Sequence, residues 1–398
     1  MSASCDFVLL GASGFIGGHI LTALEEQNYS VVVCKLRLEQ PESLERFLRD
    51  EHTPKLGVIC AAGSKGTPNI DWCLEHTTET IEANILGQLN VVRVCRVLGL
   101  HCTLIGSGMV YPPLPSDRAA ALDFYEEDRD KILARDYIDG DIPDASGKTF
   151  RVRVGARQSP TSATADKSSA TYKTENVHFY RKARCMLEDL LQYYPDVLNL
   201  RTQFPVAMTD KNFENKASLL AKLKGFPKVD AALRHESMIK ILVNVVRVAK
   251  KKYFVDENRD INHEYICCKE SPLRLVFIPI FIPVVFTSLR STVSVTFLEN
   301  LCPGIPIMVK QRASGNINFV NPGAVKYADV VERLRKKFPG TYDPELREAA
   351  QGRGSILMSA EKMVNLMAAS KGQGDEKRVP SHKILTCDEC LDIAFGDS

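Results

Sequence analysis

Near the start of the chain, apolar and polar positions follow the pattern of a strand, a helix and a second strand. The apolar run FVLL at 7–10 is followed by the glycine-rich segment 11–18 and then by apolar residues at helical spacing, Ile20 and Leu24. A second apolar run, VVVC, occupies 31–34. Short apolar runs around a segment of helical period are typical of a strand–helix–strand unit in a parallel sheet. The pattern therefore predicts a βαβ unit.

Strand and helix patterns continue to alternate through the first half of the chain and become less regular beyond it. A third strand is predicted at 56–63, a fourth ends at Ser107, and a helix with regular apolar spacing follows Tyr180. We therefore predict an α/β fold, a doubly wound parallel sheet of the Rossmann type with a smaller C-terminal substrate domain. The dinucleotide-binding domain is predicted at 1–205 and the substrate-binding part at 206–398.

Two stretches break this alternation. Residues from about 129 to 176 are polar and rich in Ser, Thr, Asp and Lys, which predicts a flexible insertion. Residues from about 253 to 312 fit no part of the pattern and contain the segment LRLVFIPIFIPVVFTSL. Its uninterrupted apolar run is about 13 residues long, whereas a membrane-spanning helix needs about 20. We favour buried strands or a partner-binding patch over a membrane segment.

The glycine-rich segment predicts where a dinucleotide binds. In the order strand, loop, helix, Gly11 permits a tight turn, Gly14 lets the backbone approach a pyrophosphate, and Gly17 lets the helix pack on the strand. The free N–H groups at the start of the helix favour phosphate. The predicted cofactor-binding residues are Gly11, Ser13, Gly14, Phe15, Ile16 and Gly17, together with Ala61, Ala62 and Gly63 after the third strand.

The residues after the second strand indicate which dinucleotide is bound. A site for NAD usually places Asp or Glu there to hold the ribose 2′-hydroxyl, whereas this chain has Lys35 and Arg37. Two cationic side chains suit a 2′-phosphate. The prediction is therefore NADP, bound as NADPH, rather than NAD. The alternative is that both side chains are simply solvated.

Composition narrows the class of partner. The formal net charge is +2, from 51 basic and 49 acidic residues, so no strong field favours nucleic acid or an anionic membrane. The 12 cysteines are mostly isolated, and the N-terminus lacks the pattern of a secretory leader, so we predict a reduced, cytoplasmic protein. Cys387 and Cys390 form a C-x-x-C pair, but no second pair of suitable spacing accompanies it, so we predict no metal site.

Ordered sequence blocks carry a resemblance to a known family. They are GASGFIGG at 11–18, RLEQPESLERFL at 37–48, AAGSKGTPNIDWCLEHTTETIEANILGQLNV at 61–91, FYEED at 124–128, FYRKARCMLEDLL at 179–191, LRTQFPV at 200–206 and NINFVNPGAVKYADV at 316–330. The chain resembles the extended short-chain dehydrogenase/reductases of nucleotide-sugar metabolism, specifically the dTDP-4-dehydrorhamnose reductases and the plant-type nucleotide-rhamnose 3,5-epimerase/4-reductases. The resemblance implies epimerisation of a nucleotide-linked 4-keto-6-deoxyglucose at C3 and C5, followed by reduction of the ketone with NADPH.

The segment HFYRKARCM at 178–186 carries the implied catalytic residues. The resemblance implies that Tyr180 donates a proton to the ketone oxygen as hydride arrives, and that Ser107 polarises that oxygen. The family lysine, four residues after the tyrosine, is Arg184 here. Arginine can bind the ribose hydroxyls and lower the tyrosine pKa, but its own pKa lies above about 12, so it relays no proton. The residues alone leave a second interpretation open, in which Tyr180 is a packing residue of an amphipathic helix.

Epimerisation and substrate binding involve further residues in the family. Bifunctional relatives have a cysteine two residues after the Ser/Thr, where this chain has Met109, and a thioether gives up no proton. Cys102 and Tyr111 are alternative acids, and Lys222 matches the family's basic partner. The remaining substrate contacts that we predict are Met109, Asn84 and Arg353.

Two functions follow from these residues. The first is an NADPH-dependent nucleotide-sugar reductase of rhamnose biosynthesis, acting on a UDP- or dTDP-linked 4-keto-6-deoxyhexose, with 3,5-epimerase activity as an open question. The second is a catalytically impaired NADP-binding regulatory or scaffold subunit, similar to the regulatory subunit of methionine adenosyltransferase. We expect a nucleotide-sugar ligand, no nucleic acid, no membrane contact, and either a homodimer or a partner enzyme.

Overall fold

A six-stranded parallel sheet forms the centre of the computed structural model, which describes residues 3–66, 70–111, 124–126, 140–143, 149–152, 179–210, 212–224, 292–339, 356–369 and 382–397. In chain order the strands are β1 (Ala3–Leu10), β2 (Val31–Cys34), β3 (His52–Cys60), β4 (Cys102–Ser107), β5 (Gly140–Pro143), β6 (Thr149–Val152), β7 (Val197–Thr202), β8 (Pro205–Val206), β9 (Thr292–Val293), β10 (Thr296–Phe297), β11 (Gly315–Phe319) and β12 (Val325–Lys326). The strand order in the central sheet is β11-β7-β4-β3-β1-β2, and every neighbouring pair is parallel. The predicted fold class is confirmed.

Helices connect the strands and cover the sheet. They are α1 (Phe15–Glu26), α2 (Pro41–Arg46), α3 (Trp72–Glu75), α4 (Thr77–Ile81), α5 (Gly87–Val97), α6 (Phe179–Leu191), α7 (Leu219–Lys224), α8 (Leu298–Leu301), α9 (Ile305–Lys310), α10 (Tyr327–Lys337), α11 (Glu361–Ala369) and α12 (Cys387–Phe395). Single π-helical turns at Phe47–Glu51 and Glu82–Leu86 extend α2 and join α4 to α5, and short 3-10 turns follow β4 and α8.

Helices lie on both faces of the sheet, which explains the continuous apolar run in β1. Phe7 and Leu9 belong to one buried cluster with residues of α1, α8, α9 and α11, whereas Val8 and Leu10 belong to a second cluster with residues of α2, α5 and α6. Successive side chains of a strand point to opposite faces. A strand that is buried on both faces therefore needs apolar residues at every position.

The C-terminal half contributes to the central sheet and also forms a cluster of its own. β11 pairs with β7 and completes one edge of the sheet. A third buried cluster contains residues of α7, α10 and α12 together with the short strands β8, β9, β10 and β12. The division at 205/206 into two domains stays a prediction, and the structure adds that the sheet itself draws on both halves.

The two predicted insertions are partly described. In the first, β5 and β6 form an antiparallel pair, and the rest of 129–176 lies outside the described residues. In the second, residues 292–312 are built into the core, since Leu298, Ile305 and Met308 are fully buried in the cluster that contains α1. This end of the stretch shows no strand–helix alternation because it consists of short strands and one-turn helices. The apolar segment 273–289 lies outside the described residues.

Candidate cofactor and active site

The glycine-rich loop after β1 and the loop after β3 meet at the point where the strand order reverses. β1 is followed in space by β2 on one side and by β3 on the other, and ligands of doubly wound sheets bind in the crevice between such strands. A Cβ atom on Gly11 (φ +79°) would overlap the backbone of Ala62, and one on Gly17 would overlap the carbonyl oxygen of Gly11. These glycines are therefore required by close backbone contacts.

Polar contacts anchor the second loop. The Asn84 side chain accepts a hydrogen bond from the Ser64 N–H (3.1 Å) and donates one to the Ser64 carbonyl (2.6 Å). Gln88, which is also buried, donates to the Ala62 carbonyl. Asn84 thus shapes the edge of the crevice with its own amide, and its predicted contact with substrate stays a prediction. The loop residues Ala61 and Ala62 are half-buried, and Gly63 is exposed.

The other predicted cofactor residues border the same crevice. Gly14 is the residue before α1, and its N–H donates to the Gly11 carbonyl at 3.0 Å. Ser13 and Gly14 are exposed, and Phe15 and Ile16 are half-buried in the first turn of α1. Such a first turn leaves backbone N–H groups available to a phosphate.

Lys35 and Arg37 follow β2 and point into solvent. Both are exposed, and the Arg37 Nε lies 3.5 Å from a carboxylate oxygen of Glu39, which is a weak surface pair. Neither side chain is held in the protein interior. Both lie just after β2 with their cationic groups in solvent, and their contact with a 2′-phosphate stays a prediction.

Ser107 ends β4 at the carboxyl edge of the sheet. Its side chain is 8% exposed, and its Oγ accepts a hydrogen bond from the Met109 N–H at 3.2 Å. Met109 lies in the 3-10 turn that follows and is half-buried. The hydroxyl proton of Ser107 is not used by this bond, so the group keeps its capacity to donate.

Helix α6 is attached to this same edge by its second turn. The Arg184 guanidinium is 5% exposed and donates to the Ile105 carbonyl at 2.5 Å, and the Cys185 thiol lies 3.9 Å from the Val110 carbonyl. Tyr180, one helical turn earlier on α6, is half-buried. The structure thus places Arg184 against the carboxyl half of β4, which ends at Ser107, and the part of Tyr180 in the site stays a prediction.

A buried ion pair that the sequence did not indicate holds α6 on the sheet. Arg201 of β7 is fully buried and binds both carboxylate oxygens of Glu188, at 3.0 Å and 2.7 Å. Desolvation is the largest single influence on Arg201 and lowers its pKa, but the Glu188 carboxylate and the Tyr111 hydroxyl together outweigh it, so the pKa of Arg201 is raised. Arg201 also donates to the Tyr111 hydroxyl at 2.5 Å. The pair therefore links α6 to the loop that follows the Ser107 turn.

The two alternative acids for epimerisation are wrong. Tyr111 is fully buried, and burial raises its pKa, while its hydroxyl donates to the Asn318 side chain at 2.8 Å. Cys102 is 2% exposed, and a hydrogen bond to the Cys95 thiol, together with burial, raises its pKa. Both side chains are buried in the interior, so neither reaches a ligand in the crevice.

Lys222 lies on α7 beside a second lysine that the sequence reasoning missed. Desolvation and then the nearby Lys65 ammonium lower the pKa of Lys222. Lys65 belongs to the loop after β3, next to Ser64, which Asn84 anchors. Two amines from different elements therefore meet beside the crevice. Arg353, the remaining predicted substrate contact, lies outside the described residues.

Cys387 and Cys390 lie in the first turn of α12 and are both buried. Burial raises the pKa of each thiol to about 12, which makes both unreactive near neutral pH. Across the described ranges, no group of three or more His, Cys, Asp or Glu side chains is arranged to hold a metal ion. No helix in those ranges combines the length and the apolar character needed to cross a bilayer.

The parallel sheet and the glycine-rich crevice are those of a Rossmann-type fold. Residues 7–129 match the model of the NAD dependent epimerase/dehydratase family. This match confirms the resemblance stated from the sequence blocks.

Similar proteins of known sequence come from rhamnose synthesis. The bifunctional dTDP-4-dehydrorhamnose 3,5-epimerase/dTDP-4-dehydrorhamnose reductase of Arabidopsis thaliana is 24% identical over 339 residues, which are 84% of this chain and 76% of the relative. A trifunctional UDP-glucose 4,6-dehydratase/3,5-epimerase/UDP-4-keto-L-rhamnose reductase of the same plant is 24% identical over 333 residues. There the match covers 83% of this chain but only 34% of the relative, so the chain spans about a third of that protein's length.

Similar solved structures support the fold. The UDP-rhamnose synthase of Acanthamoeba polyphaga mimivirus aligns with a TM-score of 0.57 at 16% identity, covering 99% of each chain. The dTDP-4-dehydrorhamnose reductase of Bacillus anthracis, solved in complex with NADP, aligns with a TM-score of 0.53 at 11% identity over 100% of this chain and 99% of the other. At these identities the likeness concerns the fold alone.

Proposed function

We propose that this protein is an NADPH-dependent nucleotide-sugar reductase of rhamnose biosynthesis, acting on a UDP- or dTDP-linked 4-keto-6-deoxyhexose. The observation that carries the proposal is the attachment of α6 to β4, where Arg184 binds the Ile105 carbonyl and Cys185 lies against Val110 in the turn after Ser107. Tyr180 precedes Arg184 by one helical turn on the same helix. A hydroxyl, a phenol and a cation at one edge of a dinucleotide crevice are the groups that ketone reduction needs. The related sequences are reductases and epimerases of such sugars.

The main contacts with the cofactor would come from backbone groups. The Gly11–Gly17 loop and the first turn of α1 would hold the pyrophosphate, because close backbone approach and free N–H groups suit phosphate oxygens. Lys35 and Arg37 would pair with the 2′-phosphate, since both cations are exposed at the end of β2. NADPH would supply the hydride.

At the sugar, the residues of the edge would move one proton. Ser107 would donate a hydrogen bond to the ketone oxygen, and Tyr180 would donate the proton as negative charge develops there. Arg184 would hold the tyrosinate that remains by its positive charge. Because an arginine cannot pass a proton on, Tyr180 would be reprotonated from solvent, to which it is half exposed.

The proposal is restricted to reduction. Epimerisation next to a ketone needs a base and an acid on the carbons involved. Lys222, with its lowered pKa, is a suitable base, but Met109 gives up no proton and Tyr111 and Cys102 face the interior. The described residues offer no acid at the position where the bifunctional relatives have cysteine.

The test follows NADPH absorbance with UDP- and dTDP-linked 4-keto-6-deoxyglucose and with the corresponding 4-keto-rhamnose sugars. We expect oxidation of NADPH with a 4-keto-rhamnose sugar and none with the unepimerised sugar. Tyr180→Phe should abolish the reaction, whereas Tyr193→Phe, at an exposed tyrosine just beyond α6, should leave it unchanged. Failure of every sugar to oxidise bound NADPH contradicts the proposal.

A second candidate function is favoured by one observation. The Arg184 guanidinium is buried and bonded to backbone, so in this chain it serves the packing of α6 whether or not the site turns over. A site that keeps its fold and loses its proton relay suits an NADP-binding regulatory subunit that associates with a partner enzyme or with a second copy of the chain. Sedimentation of the purified chain with and without NADPH, followed by affinity capture of an enzyme partner, would separate this function from the first.

A further inference from the structure

Four residues other than glycine have a positive φ among the residues described, and three of them have an evident reason. Asn28 (φ 61°) and Arg312 (φ 54°) lie two residues beyond the last residues of α1 and α9, where left-handed backbone commonly ends a helix. Phe213 (φ 51°) is 3% exposed, and its ring packs against Phe338 and Phe395. The fourth, Phe204 (φ 38°), fits neither explanation.

Phe204 is forced into this conformation by its neighbours. The Gln203 N–H donates to the Thr296 hydroxyl (2.9 Å), and the Gln203 carbonyl accepts from the Thr296 N–H (2.8 Å). Pro205 follows and begins β8, which pairs with β10. A bulky residue with positive φ is a strained outlier, and the residue before a proline usually adopts an extended conformation. Strain of this kind persists where the surroundings impose it, and it is concentrated at ligand sites.

The position of Phe204 is at the edge where the proposed reaction takes place. Thr202 pairs in register with Ser107, and Phe204 lies two residues beyond Thr202. The Gln203 side chain packs against Gly108, where a Cβ atom would meet its Oε1 at 2.8 Å. Phe204 therefore lies two residues beyond the carboxyl end of β7 and directly follows the residue that packs against the turn carrying Met109.

The ring of Phe204 is also the exposed part of an otherwise buried segment. It is 38% exposed, whereas Thr202, Gln203 and Val206 are between 1% and 7% exposed. Its ring meets the ring of Tyr327 edge to face, with centroids 6.3 Å apart and planes at 76°. One face of Phe204 is thus supported by a second aromatic ring, and the strain holds the remaining surface toward solvent.

We propose that Phe204 is a ligand-contacting residue that packs against a planar heteroaromatic ring, either the nicotinamide of the cofactor or the nucleobase of the nucleotide sugar. The inference rests on the proposed function, since that function brings both rings to this edge. Aromatic rings contribute to binding by stacking and by edge-to-face contact, and they lose little conformational freedom in doing so.

The test compares Phe204→Leu, which keeps an apolar side chain and removes the ring, with Phe204→Tyr, which retains a ring. Binding of NADPH, 2′,5′-ADP, UDP and dTDP is measured by fluorescence or calorimetry. Loss of the ring should raise one Kd by about five- to tenfold. A rise for NADPH but not for 2′,5′-ADP, which lacks nicotinamide, identifies the cofactor ring. A rise for UDP or dTDP identifies the nucleobase. Phe204→Tyr should recover most of the affinity.

Thermal unfolding provides a readout that does not depend on ligands. Phe204→Gly relieves the positive φ at little cost in packing, so its Tm should equal or exceed that of the wild type. Phe213→Gly removes a buried ring and should lower the Tm strongly. An equal loss in both variants would show that Phe204 is a packing residue and overturn the inference.

The ligand results separate two failures. Unchanged Kd values for all four ligands in Phe204→Leu, with a wild type that binds NADPH, overturn the role of Phe204 and leave the reductase proposal standing. A wild type that binds none of the four ligands overturns both.

Discussion

The two halves of the carboxyl edge of the sheet are held together in different ways. At the β1/β3 crevice, the contacts are between backbone atoms, and Gly11 and Gly17 are needed because no side chain fits. At the β4/β7 edge, buried side chains form the contacts, with Arg184 on the β4 backbone and Arg201 on Glu188. We therefore expect the β1/β3 crevice to be destabilised when side-chain atoms are added to its glycines. The β4/β7 edge should be destabilised when one partner of its buried charged groups is removed. The predictions below test this difference.

The largest effect is expected from the buried ion pair. Arg201→Met leaves the Glu188 carboxylate without its partner in the interior, which should lower the free energy of unfolding by about 3–5 kcal/mol. Urea unfolding measures it. Arg333→Met is the control, since its pairs with Asp392 and Asp397 are partly exposed, and it should cost less than about 1 kcal/mol. Equal losses in the two variants would contradict the importance of the buried pair.

The charge of Arg184 should matter mainly for turnover. Arg184→Met removes the cation next to Tyr180, and kcat for ketone reduction should fall by about a hundredfold. The matched control is Lys182→Met, at an exposed lysine on the same helix, which should stay within a few fold of the wild type. Steady-state NADPH oxidation gives the ratio. Similar kcat values for the two variants would mean that the Arg184 charge has no part in the reaction.

Substitution by alanine should have opposite effects on stability at two adjacent glycines of the crevice. Gly17→Ala would place its Cβ against the Gly11 carbonyl oxygen, which should destabilise the fold by about 1–3 kcal/mol and weaken NADPH binding. Gly18→Ala meets its nearest neighbour at 3.6 Å inside α1 and should stabilise the fold by about 0.5–1 kcal/mol. Thermal melts with and without NADPH distinguish the two. Opposite signs are required, and a loss of stability in Gly18→Ala would contradict the geometry.

The smallest effect concerns the lysine pair. Removal of the Lys65 charge in Lys65→Met should raise the pKa of Lys222. Acylation of Lys222 at pH 8, measured by mass spectrometry, should then slow, by about tenfold for each pKa unit. Labelling of Lys222 should be unaffected by Lys216→Met, at an exposed lysine before α7. Unchanged labelling of Lys222 in Lys65→Met would show that the two amines do not interact.

The interaction of Lys65 with Lys222 also predicts the direction in which stability changes with pH. Because the folded-state pKa of Lys222 lies below its unfolded value, the unfolded chain binds more protons between the two values. The contribution of Lys222 to the free energy of unfolding should therefore rise as pH increases across that interval. Lys65→Met should flatten this rise, which urea titrations at several pH values would measure.

The sequence predicted the crevice well because its determinants are local. Gly11, Gly14 and Gly17 lie within one turn and helix start, and the apolar runs of β1 and β2 flank them directly. A periodic pattern over a few residues is sufficient to place such a loop. Ser107 could be assigned to the carboxyl edge because it ends a predicted strand, whereas the assignment of Tyr180 rests on the family resemblance.

The contacts at the β4/β7 half of the carboxyl edge could not be predicted, because they join residues from different elements of the chain. No sequence pattern around Arg201 marks Glu188 as its partner. Arginine is also rarely fully buried, so its residue type predicts an exposed side chain. Lys65 and Lys222 are brought together only by the packing of α7 beside the loop after β3. β11 reaches the sheet from the C-terminal half, where strand and helix patterns are weak.

The central claim, that the edge with Ser107, Tyr180 and Arg184 reduces a ketone, is tested most directly by tracing the hydride. The measurement uses NADPH with deuterium at C4, a 4-keto-rhamnose nucleotide sugar and stoichiometric protein, with the product examined by NMR and mass spectrometry. The account predicts one deuterium at C4 of the sugar with the wild type and with Tyr193→Phe, and none with Tyr180→Phe. Deuterated product from Tyr180→Phe at the wild-type rate, or its absence from the wild type, would contradict the account.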